Sequence, residues 1–215
     1  MKKKTENIGQ EIKITVLLGL VILPAISFSF LLESPESPLY ASISRIAWIH
    51  GRWISTFIWA LAVMGTIGGL THLLVKNGPL EGRQKRGFLA IQLISLFLAF
   101  IGCLMFPAKP DQVSVRLIHH LHDFLTAIAW VAYVIGLIVY SLLIGKKNKF
   151  LGFMSCSIMT FVILSSLFFL IQVIDPTSYV GASAVSEVYV INSLLIYLVI
   201  MYLLEKKEME KPLTK

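Results

Sequence analysis

The sequence predicts an all-α fold: a polytopic membrane protein built as a bundle of six transmembrane helices, with both termini cytoplasmic. Three observations predict it. Of 215 residues, 56% are hydrophobic and 14% charged, whereas an ordinary globular domain needs about 25% charged residues to coat its surface. This scarcity excludes a soluble enzyme domain and runs opposite to the composition of disordered chains. Six apolar stretches reach the roughly 20 residues that a helix needs to cross a hydrocarbon core of about 30 Å. The basic residues, finally, collect in alternate connections between those stretches.

The stretches are 14–32, 47–75, 87–106, 117–145, 150–174 and 186–204, and the chain reads as one domain over 1–215. Their continuous apolar character suits helices and lacks the alternation of a membrane barrel. Lys2, Lys3, Lys4 and Lys13 precede the first span. Its Ser27-Phe28-Ser29 loosely resembles a signal-peptide cleavage site, but Pro24 and the flanking phenylalanines fit an uncleaved, kinked span better. A stiff acidic loop, Glu33-Ser34-Pro35-Glu36-Ser37-Pro38, follows.

The second span is longer than a crossing requires, so it tilts or projects a polar turn. It opens on Trp48-Ile49-His50-Gly51-Arg52-Trp53, where tryptophans form an interfacial belt and Arg52 snorkels to the headgroups or meets a lipid phosphate. Gly65 and Gly69 present a small-xxx-small face that lets a partner helix approach. A phosphate loop is excluded there, because no Lys-Ser/Thr follows. His72 sits near the inner interface, and Asn77-Gly78-Pro79 signals a turn.

Gln92 is the internal polar residue of the third span, which ends at Gly102-Cys103-Leu104-Met105-Phe106-Pro107. The fourth span is long and opens on Arg116-Leu117-Ile118-His119-His120-Leu121-His122-Asp123. In the fifth, Ser165 and Ser166 read as helix–helix hydrogen-bonding residues, since no Gly-x-Ser-x-Gly nucleophile motif is present. Cys103 and Cys156 fall at opposite depths, which disfavours a disulfide. Glu187 opens the sixth span.

Lys76, Arg83, Lys85 and Arg86 follow the second span, Lys146, Lys147 and Lys149 the fourth, and Lys206, Lys207, Lys211 and Lys215 the sixth. With the N-terminal lysines, fifteen of the nineteen basic residues share one side. That bias places the termini and both basic loops in the cytoplasm of a plasma-membrane protein. The net charge of +7 is therefore a topology signal. Nucleic acid is excluded as a partner, since no folded domain carries a basic face. The charges of the cytoplasmic side, Lys206 among them, are read as explaining topology.

Ionisable groups at membrane depth are costly and mark function by default. Four of the five histidines, His50, His119, His120 and His122, lie at the outer side. Residues three and four apart share a helix face, so His119, His122 and Asp123 point one way and His120 another. The same stripe continues to Thr126, Ala129, Trp130 and Tyr133, which suggests a cavity open to the outside and closed below. His119, His122 and Asp123 form a workable zinc or iron ligand set, or a general acid/base group with His50 and Glu187 contributing. Glu187 is expected to pair with Arg45, Arg52 or Arg116, or to complete that site. The bland reading is a hydrated interfacial turn, with Asp123 complementing the helix dipole.

The Gly102 to Pro107 segment followed by the histidine run resembles a six-span prokaryotic membrane family classed as a domain of unknown function, the 998 family. Its members end the third span on a Gly-x-Phe-Pro-like element and open the fourth on histidine. Here Phe106-Pro107 and His119 or His120 match, while Gly102 stands further from the proline. The resemblance implies a six-helix membrane fold and no particular activity.

Four functions compete for these residues. One is a membrane-embedded hydrolase or transferase acting on a lipid or lipid-linked substrate, with or without a divalent metal. A transporter would need polar residues through the inner half, where His72 and Gln92 are the candidates. A haem protein would use His50 and a fourth-span histidine as axial ligands. A non-catalytic accessory, sensory or immunity protein would use the histidines to report external pH.

Overall fold

The computed structural model describes residues 10–32, 43, 47, 51–78, 80–104, 113–174 and 184–209; within these helices the side chains of 30–31, 103–104, 113–120, 123, 168–174 and 209 lie outside the description. Six helices are long and apolar enough to cross a membrane, and the regular structure of the described residues is entirely helical. The protein is an all-α, multi-pass membrane protein.

Helix α1 (10–32) holds a π-helical stretch, Leu17–Ile22, ahead of the α-helical Leu23–Leu32. Proline at position 24 lacks an N–H and its ring crowds the carbonyl four residues back. The wide turn absorbs this, and the Leu23 N–H bonds to Leu18 O, five residues back. Helix α2 is Trp53–Asn77. It starts six residues later than the apolar run because Gly51 has φ 67° and turns the chain, a conformation that favours glycine. Helix α3, Gly82–Leu104, begins earlier than expected, since Gly82 to Arg86 extend it as a charged first turn.

Helix α4, Val113–Lys147, has 35 residues and at 1.5 Å per residue runs about 52 Å, well beyond a hydrocarbon core. It meets α5, Lys149–Ile174, at Asn148, whose Oδ1 accepts the Leu151 N–H at 3.1 Å and caps the new helix. The hairpin is tight: a Cβ on Gly152 would strike the backbone of Gly145. Helix α6 is Ala184–Met209.

Helices α2 to α6 pack in chain order and α6 returns against α2, with α1 laid over α2 and α6. Large apolar side chains such as Val21, Phe28, Ile94, Phe97, Phe153 and Leu164 face outward, where lipid solvates them. Thr56, Thr71, Gln92, Ser141, Ser155, Ser165 and Ser193 face inward. Lipid tails are as apolar as leucine, so polar and small residues decide what packs inside.

Gly68 is the glycine of α2 that meets another helix, with Leu93 and Leu96 of α3 in contact range of an added Cβ. Gly65 and Gly69 have nothing within 4 Å of such a Cβ. They line a groove of about 690 Å³ beside α1 with Thr15, Leu18, Thr66 and His72. The small-residue face thus packs against no described helix of this chain.

Candidate functional site

At the histidine-rich end, His122 is half-buried and its Nδ1 lies 2.6 Å from Gly102 O on α3. A carbonyl only accepts, so Nδ1 carries the proton and Nε2 is the basic nitrogen of the neutral ring. The contact depends on Gly102, where a Cβ would overlap the Thr126 methyl. Thr126 donates to His122 O at 2.8 Å.

The stripe below His122 is a packing face where a cavity was expected. Gly102 closes on Thr126, and Ala129 and Tyr133 are buried. Trp130 Nε1 donates to Ser166 Oγ on α5 at 3.1 Å, and Tyr133 bonds to Thr71 on α2. Small and aromatic residues at this spacing fill the space between three helices.

The Glu187 Oε2 accepts the Ile43 N–H at 2.8 Å, which ties the start of α6 to the segment ahead of α2. The arginine pairs expected for it include Arg45 and Arg116, whose side chains lie outside the described residues. His50 lies outside them too, and the backbones of His119 and Asp123 are described on α4 while their side chains are not. The expected metal set of His119, His122 and Asp123 falls largely there. Among the described residues no three His, Cys, Asp or Glu side chains gather as metal ligands.

The opposite, basic end holds buried polar groups where the sequence reading saw only a topology signal. Glu205 and Lys206 are buried. The Tyr140 hydroxyl of α4 lies 2.7 Å from Glu205 Oε1 and 3.1 Å from Leu74 O. Lys206 donates to Glu11 of α1 and, at 2.9 Å, to Tyr202. A signal existed: Val190, Leu194, Tyr197, Leu198 and Met201 form one buried face, and the next turn of that face is Glu205. The end of the apolar run hid it.

Between the two ends, hydrogen-bonded polar groups are set into the apolar core. Ser141, Ser155 and Tyr197 lie within 2.7 to 3.1 Å of one another and join α4, α5 and α6. Gln92 is buried, and its Nε2 donates to Tyr133 O at 3.2 Å. Gly136 makes room for it, since a Cβ there would overlap the amide. Ser165 bonds to Ser193 at 2.8 Å and Ser166 accepts from Trp130, so both bridge helices, as expected of serines in an apolar span. The basic half of the bundle therefore carries far more than His72 and Gln92. No protein-family model, curated protein or solved structure matches the chain.

Proposed function

We propose that the protein is a membrane-embedded hydrolase or transferase acting at its histidine-rich end on a lipid or lipid-linked substrate. The observation that carries this reading is the His122 hydrogen bond to Gly102 O. It orients the ring and fixes its tautomer, as a carbonyl bonded to the far nitrogen does for a catalytic or metal-bound histidine. His122 Nε2 then takes a proton from a water or substrate hydroxyl as that oxygen attacks an ester or phosphoryl centre, and returns it to the substrate oxygen that leaves as its bond to that centre breaks. His119 and Asp123, one turn before and one residue after on α4, are assigned to the same site by their spacing. His50 and Glu187 contribute from the neighbouring segments. A divalent metal on His119, His122 and Asp123 would polarise the scissile group.

The same reading puts the protein in the plasma membrane with both termini cytoplasmic, and its site at the outer leaflet. It accords with the family resemblance carried by Phe106-Pro107 and the histidine run. The test is turnover of labelled phospholipid and polyprenyl-linked substrates by the purified chain in vesicles, with its zinc and iron content measured alongside. His122→Ala and Asp123→Ala should each lower turnover by about 100-fold or more. Wild-type rates in both variants would overturn the proposal.

A second reading, a transporter, is favoured by the buried polar groups Gln92, Ser141, Ser155, Tyr197 and Glu205 inside the bundle. Substrate-dependent flux into proteoliposomes without chemical turnover would select it.

A further inference from the structure

We propose that Glu205 is a proton-binding site, its carboxyl carried as the neutral acid and hydrogen-bonded through Tyr140 to the end of α2. Four observations converge on this residue. Its side chain is enclosed, with the residue 4% exposed beside the fully buried Tyr140 and Leu74. Among the described residues its Oε2 is buried without a hydrogen-bond partner. A carboxylate left so would hold an uncompensated charge away from water, whereas a neutral acid leaves only a carbonyl unpaired.

The count of hydrogens supports the same state. Tyr140 has one hydroxyl hydrogen and two oxygens in range, Leu74 O at 3.1 Å and Glu205 Oε1 at 2.7 Å. The backbone carbonyl can only accept. If Glu205 is protonated, its O–H donates to the Tyr140 oxygen and Tyr140 donates to Leu74 O, so both contacts are satisfied. If it is ionised, the single hydrogen must serve two acceptors.

Charged groups described at this end have partners other than Glu205. From α6, Lys206 reaches Glu11 of α1 and Tyr202, while Tyr197 sits among Ser141 and Ser155. Lys85 of α3 donates to the backbone of Lys76 on α2. Lys147 of α4 bonds to Glu81 and Asn148 to Glu208. The place is shaped for the tyrosine as well: a Cβ on Gly78 would overlap the Tyr140 hydroxyl. Three elements thus meet around one acid, and the exposed Lys207 and half-buried Glu208 that follow put it at the basic end of the bundle.

The test is infrared difference spectroscopy on the full chain in lipid vesicles at neutral pH, comparing wild type with Glu205→Gln. Wild type should show the carbonyl stretch of a protonated carboxyl, at the high-frequency side expected for an oxygen without a hydrogen bond, and E205Q should lack it. As an isostere of the neutral acid, E205Q should unfold within a few degrees of wild type. Identical spectra for the two proteins would overturn the proposal. Where E205Q does not fold, Tyr140→Phe keeps the acid and removes its partner, so the band must shift; an unmoved or absent band is fatal to the assignment.

Discussion

Single residues in this interior are fixed by what they hydrogen-bond. Tyr140 covers Leu74 O and bonds to Glu205 in a fully buried position. Tyr140→Phe keeps the ring against Phe88, whose centroid lies 5.5 Å away, and strips the partner from a buried carbonyl. Such a loss costs about 1–3 kcal/mol, to be read as reduced resistance to thermal or denaturant unfolding in detergent. Gly136→Ala should weaken the protein by a similar 1–3 kcal/mol, because its methyl displaces Gln92. Gly136→Ala combined with Gln92→Ala should recover part of that loss, since the smaller side chain vacates the contested space. Additive losses would show that the two residues do not share it.

Helix faces sort the glycines into two kinds. At Gly152 an added Cβ meets the Gly145 backbone, which cannot rotate aside, while at Gly65 and Gly69 it meets nothing. Gly152→Ala should therefore destabilise the α4–α5 hairpin or prevent it from forming. Gly65→Ala and Gly69→Ala should leave stability unchanged or raise it by up to about 0.8–1 kcal/mol each, the difference in helix propensity. A loss at Gly65 or Gly69 would instead reveal a partner helix seated in the groove beside α1, which cross-linking of the wild-type protein would detect as an oligomer. Sequence pattern could not make this division. Small-xxx-small spacing marks both Gly65 to Gly69 and the turn that contains Gly68, and only the packed bundle shows that Gly68 meets α3. The existence of the six helices was legible, because lipid demands long apolar runs and satisfied backbone. Which face of each turns inward was not, because lipid and protein core are equally apolar. The serines were the exception: Ser165 and Ser166 were readable as bridges since a hydroxyl in hydrocarbon seeks a partner. Glu205 was missed for the opposite reason, its charge counting only toward topology.

For the whole molecule, the lopsided charge and the polar interior make one connected expectation about orientation. The basic end carries exposed Lys146, Lys147 and Lys207, together with the Glu11–Lys206 pair that joins α1 to α6. Positive residues near span ends are retained in the cytoplasm, so that end is expected to face inward and His122 outward. The experiment starts from a chain with Cys103→Ser and Cys156→Ser, so that a single new cysteine reports alone. Lys207→Cys in intact cells should resist a membrane-impermeant maleimide and react once the cells are permeabilised. Arg52→Cys, half-buried at the start of α2, should react in intact cells. The pair of sites is needed because one silent cysteine can be silent through burial alone. The reverse pattern would move the histidines to the cytoplasmic leaflet and the Glu205 proton site to the outside. The proposed lipid chemistry would then draw on inner-leaflet substrates, and Lys206 and Glu11 would hold α1 against α6 from the exterior. Both proposals would keep their residues and exchange their compartments, so orientation is the measurement that decides which substrates belong in the turnover assay.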